Sequence, residues 1–291
     1  MTVLDQRPSE ADRASAPARS TRTVSRRRRA AEIGGKWLVL AICVVLWQLA
    51  SASAKNPYFP TPQVIGKKMV DLWLTGPPSH LWLSDAVSVD VLPSLLRLLG
   101  GWLAASVIGI TLGLVLGRSD KTYDYLSPTL NFLRSVPPPA LLPVFFVLFP
   151  LGTPMQLAMI IFGVIWPILL NTIDGAHTLD ETVVETTRSM RISKLRFLTT
   201  VVFPAALPKI FAGLRVSLSL ALILMVISEL EGSFDGLGQQ MIYAQRNFDL
   251  PAMWAGIVLL GILGYVLNAL LLVVQNRVIG WHTRSKSLTG R

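Results

Sequence analysis

The stretch ETTRSMRISKLRFLTTVVFPAALP, residues 185–208, sets four cations, Arg188, Arg191, Lys194 and Arg196, and two prolines, Pro204 and Pro208, between apolar runs. It still reads as helical. Glu181 and Glu185 stand one helical turn apart near its start, acids are favoured in a first turn, and Thr178 or Asp180 is available as a cap. Two short helices joined near residues 191–193 are therefore expected, with Pro204 and Pro208 marking the turn into the next apolar run. A loop of roughly thirty residues is too long for a simple connection, and this one is too patterned for disorder. What it does depends on what flanks it.

The flanks are oily. The chain is 52% hydrophobic and only 15% charged, far from a soluble domain of this length and close to a multi-spanning membrane protein. Runs of about 20 apolar residues, enough to cross a bilayer as a helix, occur near residues 37–54, 92–116, 126–149, 155–173, 212–230 and 253–278. The expected fold is thus an all-α integral membrane protein of about six transmembrane helices. The third run is interrupted by Pro137, Pro138, Pro139 and Pro143 and cannot be one regular helix.

Orientation follows from lysine and arginine, which cytoplasmic loops retain. With the N-terminus inside, the inner segments hold Arg26 to Arg29, Lys36, Arg118, Lys121, the four cations of the opening stretch, Lys209, Arg277, Arg284 and Lys286; the outer ones hold only Lys55, Lys67, Lys68 and Arg246. Both termini then lie in the cytoplasm. Residues 1–35 read as a disordered basic cytoplasmic tail, 36–284 as the transmembrane domain and 285–291 as a short cytoplasmic tail. The run SRRRR ahead of the first span is read as a topology signal rather than a nucleic-acid site. A cleaved signal peptide at the first span would need an unusually long leader, so Trp37 is read as an interfacial anchor of a retained span.

Cys43 is the only cysteine, and His80, His177 and His282 are scattered over different segments. No intrachain disulfide is possible, no metal-ligand spacing is present, and no nucleophile motif or Walker-type phosphate loop occurs. The chain reads as non-catalytic, with no cofactor or metal of its own.

In the second span Gly101, Ala105, Gly109, Gly113 and Gly117 recur at every fourth position, so they share one helix face where another backbone can approach closely. That face demands a partner helix, in this chain or in a second copy. Breaks at membrane depth are tolerated where freed backbone groups meet protein or a water-filled cavity, and broken helices recur at transport pathways. Arg134, with Pro137, Pro138 and Pro139, is therefore a candidate for a translocation path, the alternative being that Arg134 snorkels to the inner interface. Arg215 is a second path candidate; like Arg97, it is expected near an interface. Glu229 and Glu231 are read as an outer gate, as a binding-protein contact, or as solvated acids at a helix end. Between the first two spans, Val64, Ile65, Met69, Leu72 and Trp73 take helical spacing, as in an amphipathic helix on the outer surface against lipid or protein.

The opening stretch resembles the cytoplasmic loop of inner-membrane permease subunits of binding-protein-dependent ABC importers. That loop carries Glu-Ala-Ala, a glycine four positions on, then a branched apolar residue and Leu-Pro at fixed distance. Glu185, Thr186 and Thr187 match the triplet, Val201 the branched position, and Phe203 with Pro204 the closing pair, without a gap. Two threonines replace the alanines, and Arg191 stands where the family has glycine, at a turn whose positive φ would strain it. The segments LRSVPPPALLPVFFVLFPLG, FPAALPKIFAGLRVSLSLAL, SELEGSFDGLGQQMIYAQRNFD and RVIGWHTR are similar to the branch importing nitrate, sulfonates and taurine, with some vitamin and vitamin-precursor importers nearby.

The resemblance implies a coupling helix between spans four and five that docks on a cytoplasmic ATPase. Contacts would come from Glu185, Arg188 and Arg191, with Ile192 and Leu195 as apolar anchors. It further implies a second permease copy, two ATPase subunits holding ATP and Mg, and an extracytoplasmic solute-binding protein. The glycine face and the broken span would then shape the path near the dimer axis. Other classes remain distinct: an ion-coupled secondary transporter usually shows intramembrane acids or an internal repeat, and a membrane scaffold would explain neither the loop nor the broken span.

Overall fold

The computed structural model describes residues 26–54, 56–78 and 82–289. The expectations for residues 1–25, Lys55 and His80 lie outside them. The chain divides into two units, residues 1–54 and 55–291. The first is the helix α1 (Arg26–Ala54), which begins inside the arginine run. Residues 37–54 are apolar enough to span a membrane, and Leu38, Val39 and Val45 are exposed.

The second unit is helical throughout its described residues. In chain order it comprises α2 (Pro62–Trp73), α3 (Leu92–Leu116), α4 (Asp120–Ser135), α5 (Leu142–Leu148), α6 (Thr153–His177), α7 (Glu181–Ser189), α8 (Lys194–Phe197), α9 (Phe203–Gly232), α10 (Leu237–Arg246) and α11 (Leu250–Thr289). Together with α1, the helical runs Val87–Leu116, Thr153–His177, Lys194–Gly232 and Leu250–Gly280 make five candidate spans. The third expected span is broken as the prolines require. α4 stops at Ser135, a single 3-10 turn covers Pro138–Leu141, and α5 leaves at 81° to α4. Counting this bent pair as one span gives six.

α6 is the centre of the bundle, packed along α3 on one side and α9 on the other. The four-residue glycine row of α3 faces α6, within the chain. A Cβ added at Gly101 would lie 2.7 Å from Ile160, at Gly109 3.1 Å from Ile168, at Gly113 2.6 Å from Thr172, and at Gly117 2.6 Å from Ala176; Ala105 is buried in the same row. This row therefore seats α6 and does not face a path. On its other side α6 meets α9 in the same way, with Gly175 against Ala206 and Gly213 of α9 against the Pro167 carbonyl. Lipid offers no hydrophobic drive between helices, so this close packing is what holds them together.

Two wide, π-type turns, Val87–Val91 and Leu198–Val202, lead into α3 and α9, each just ahead of a proline. The Phe203 N–H reaches back five residues to the Leu198 carbonyl, a spacing that admits the Pro204 ring without breaking the run. The expected turn at Pro204 and Pro208 is consequently absent. Pro208 lies inside α9, and one helical run of 39 residues extends from Lys194 to Gly232.

The amphipathic segment forms α2 as expected, but it packs on α11 of its own chain. Ile65 and Trp73 are buried there, Lys68 pairs with Asp249 at 2.7 Å, and the Trp254 indole N–H donates to the Tyr58 carbonyl at 3.0 Å.

Candidate functional site

The loop between α6 and α9 is a built helix–turn–helix. Asp180 caps α7, its Oδ1 accepting from the Thr182 N–H at 2.9 Å. That backbone bond, with help from the Thr182 hydroxyl, holds the carboxyl below the ordinary aspartate range. At the other end the Arg191 N–H bonds to the Arg188 carbonyl at 3.0 Å and the Ile192 N–H to the Thr187 carbonyl at 3.4 Å. This is the Schellman pattern, which places its C′ residue in the left-handed region. Arg191 occupies that position with φ of 52°. The glycine-type turn is thus kept, with an arginine bearing its strain.

Glu185, Thr186, Arg188 and Arg191 are exposed on this loop, as is Leu195. Ile192 is half-buried at the turn. Met190, at 70% exposure beside Leu195 at 73%, takes the outward apolar position instead.

At the opposite end of the bundle lies a buried charge cluster. Glu229, near the end of α9, is fully buried; Arg97, near the start of α3, is 5% exposed. They pair at 2.9 Å through Arg97 Nη1. Ser94 Oγ stands 2.8 Å from both carboxylate oxygens of Glu229, and the Gly238 N–H donates to Oε2 at 3.0 Å. Arg97 Nη2 pairs with Asp235, and its Nε donates to Thr153 Oγ1 at 3.2 Å. The link between α9 and α10 folds over Glu229 because Gly236 takes φ of 103°, and a Cβ there would lie 2.6 Å from the Glu229 carboxyl carbon. Four elements, α3, α6, α9 and α10, are tied by this cluster. Glu229 is therefore not a solvated helix-end acid, and Arg97 is buried and paired with it.

The remaining path candidates separate. Arg134, Pro138 and Pro139 line one cleft of about 560 Å³ with Trp166, Asn171 and Leu224; Pro137 is not in its wall. Arg215 lies elsewhere, in a cleft of about 480 Å³ between α9 and α11, where its Nη2 donates to Gln275 Oε1 at 2.5 Å. It is half-buried there.

A profile of binding-protein-dependent transport system inner membrane components matches residues 105–280, from Ala105 of α3 through the loop and Glu229 into α11. The chain belongs to this family. A nitrate import permease protein of Synechocystis is 28% identical over 242 residues, covering 83% of this chain and 88% of the relative. A putative aliphatic sulfonates transport permease protein of Bacillus subtilis is 28% identical over 84% of this chain and 86% of its own length. A taurine transport system permease protein of Escherichia coli is 27% identical over 83% and 86%. In structure, the permease is similar to a chain of the MetNI methionine ABC transporter in an inward-facing conformation, with a TM-score of 0.57 and 21% identity, covering 70% of this chain and 99% of that one. That likeness supports the fold.

Within the permease, sequence reasoning missed the Ser94–Arg97–Asp235 arm of the cluster and the exposed Met190. A usable signal was present for the first. An arginine and a glutamate inside apolar spans are each costly alone, so each is expected to find the other. Among the described residues no group of three or more histidine, cysteine or acidic side chains could hold a metal ion.

Proposed function

We propose that this permease is the membrane subunit of an ATP-driven importer for a small oxyanion, coupled to its ATPase through the 185–204 loop. The observation that carries the reading is the Schellman turn at Arg191. It gives the loop two helical arms and an exposed apolar tip, Met190 and Leu195, on a run continuous with a span. Exposed apolar side chains ringed by Glu185, Arg188 and Arg191 suit docking into a cleft of a soluble partner. ATP and Mg would be held by that partner, two copies of it serving two copies of the permease, with a binding protein delivering solute outside. The loop then faces the cytoplasm, both termini lie on the same side, and the membrane is the bacterial inner membrane.

The oxyanion is supported by the names of the relatives, nitrate, aliphatic sulfonates and taurine, and by the exposed Arg134 beside Asn171 at the proline break. A guanidinium suits planar or tetrahedral oxyanions by presenting paired N–H donors. Gentle purification from the native membrane followed by mass spectrometry tests the assembly. A stoichiometric ATPase that is lost from Leu195→Ser, while the variant still inserts, supports the reading. Recovery of the chain alone, even after crosslinking through position 188, would overturn it.

A further inference from the structure

Behind the loop, away from its apolar tip, the end of α3, the inner side of α7 and the helix α8 enclose a cleft of about 500 Å³. Three cations line it, Arg118, Arg188 and Lys194, and none of its lining residues is acidic. None of the three has a carboxylate within ion-pair distance among the described residues. The acid at the neighbouring end of α6, Asp174, is already paired with Lys209 at 2.6 Å. Arg118 is also held in place, its Nη1 donating to the Ala176 carbonyl at 3.4 Å and its guanidinium lying 5.4 Å from the Phe197 ring centroid. A fixed guanidinium with two further cations and, among the described residues, no carboxylate within ion-pair distance is a site for an anion.

Most of the remaining lining is apolar, with Val115, Val184, Ile192, Phe197 and Leu198. Val115, in the last turn of the α3 span, lines the cleft and is 55% exposed, so the site opens at the edge of the membrane-facing surface. Met190 and Leu195, the apolar tip suited to docking a protein, lie outside it, and of the charged residues around that tip only Arg188 reaches its wall.

We propose that this cleft binds a phosphate group, that of an anionic phospholipid of the cytoplasmic leaflet, with its glycerol and first methylenes over Val115. Basic pockets at the cytoplasmic ends of membrane helices take such headgroups. Placement in that leaflet rests on the topology proposed above, whereas phosphate binding does not. A bound headgroup would bridge the end of α3 to both arms of the loop and hold them together, so the loop's position would depend on anionic lipid.

The full-length chain in phosphatidylcholine nanodiscs doped with phosphatidylglycerol provides the test, with native mass spectrometry counting the phosphatidylglycerol carried through detergent extraction. One retained molecule per chain is expected. Each cation is worth about 1 kcal/mol toward an anionic surface, so Arg118→Gln should lower retention about five-fold. Arg118→Lys should restore part of it. Lys194→Gln, on the short exposed helix, reports independently should Arg118→Gln fail to fold. Loss of the lipid on adding inorganic phosphate would keep the phosphate site but assign it to free phosphate; no loss assigns it to the lipid. Unchanged retention in both glutamine variants would overturn the proposal. So would retention unchanged while a copurifying ATPase is lost, because the cleft would then be part of the protein dock. Neither lipid readout requires the importer assignment to hold.

Discussion

Replacing Arg97 with methionine would leave the Glu229 carboxylate fully buried with Ser94 and the Gly238 N–H as its only close partners. Removing one member of a buried ion pair strands the other charge, at a cost of about 3–5 kcal/mol. Asp235 is 40% exposed and screened by solvent, so its loss of a partner adds little. At roughly 2–4 °C per kcal/mol for a chain of this size, the thermal midpoint should fall by on the order of 10 °C. The double variant Arg97→Met with Glu229→Gln removes both charges, and the glutamine oxygen still accepts from Gly238. It should recover most of the loss, because a neutral replacement of a buried pair is often close to neutral in stability. A double-mutant cycle in nanodiscs, followed by thermal unfolding, measures the coupling. Additive single losses, with a coupling under about 0.5 kcal/mol, would refute the buried pair, as would a negligible shift for Arg97→Met.

Gly113→Leu should prevent α3 from seating on α6, since even a Cβ there lies 2.6 Å from Thr172, and the variant should aggregate on extraction; Gly261→Leu, with open space around it, is the control, and equal behaviour of the two would dissolve the packing assignment. Arg191→Gly should relieve the positive φ by about 1 kcal/mol, seen as about five-fold slower amide exchange at Ile192; unchanged or faster exchange would mean the turn is unstrained. Asp180→Ala should fray the first turn of α7 at neutral pH. In the parent chain the cap is present above the ordinary aspartate pKa and lost only as pH falls through the lowered one; helicity of α7 insensitive to both changes would dismiss the cap.

Much of the bundle was legible because apolar length and four-residue spacing are local signals. The spans, the break at Pro137 to Pro139 and the small face of α3 all follow from residues close in sequence. The partner of that face was not legible, because a small face specifies close approach and leaves the identity of the approaching helix open. The pairing of Arg97 was not legible for a similar reason. Its partner Glu229 lies 132 residues away, and only the antiparallel course of α3 and α9 brings the two to one end. Pro204 and Pro208 misled in the opposite direction. A proline normally stops a helix, but the wide turn at Leu198–Val202 supplies the room, and nothing in the side chains there marks such a turn. The resemblance offered Ile192 as an apolar anchor, and the Schellman turn leaves it half-buried.

The run from Lys194 to Gly232 links the two ends of the molecule, and its length decides how. Thirty-nine residues at about 1.5 Å each give roughly 58 Å, nearly twice the hydrocarbon thickness of about 30 Å. The loop arm α8 therefore rides on the same rod that carries Glu229. At the Glu229 end the rod is clamped to α3, α6 and α10 through the bonds of Ser94, Arg97 and Gly238. At the loop end it is held by Ala206 against Gly175, by the Lys209–Asp174 pair and by the Arg191 turn, next to a wide turn where Pro204 removes one hydrogen bond. The buried ionic cluster makes the Glu229 end the costlier of the two to displace. In the proposed importer, a displacement imposed on α8 would thus be largest at the cytoplasmic face and smallest at the Arg97–Glu229 clamp, so the clamp would act as a fulcrum. The same network that keeps Glu229 buried would then determine which face of the permease opens.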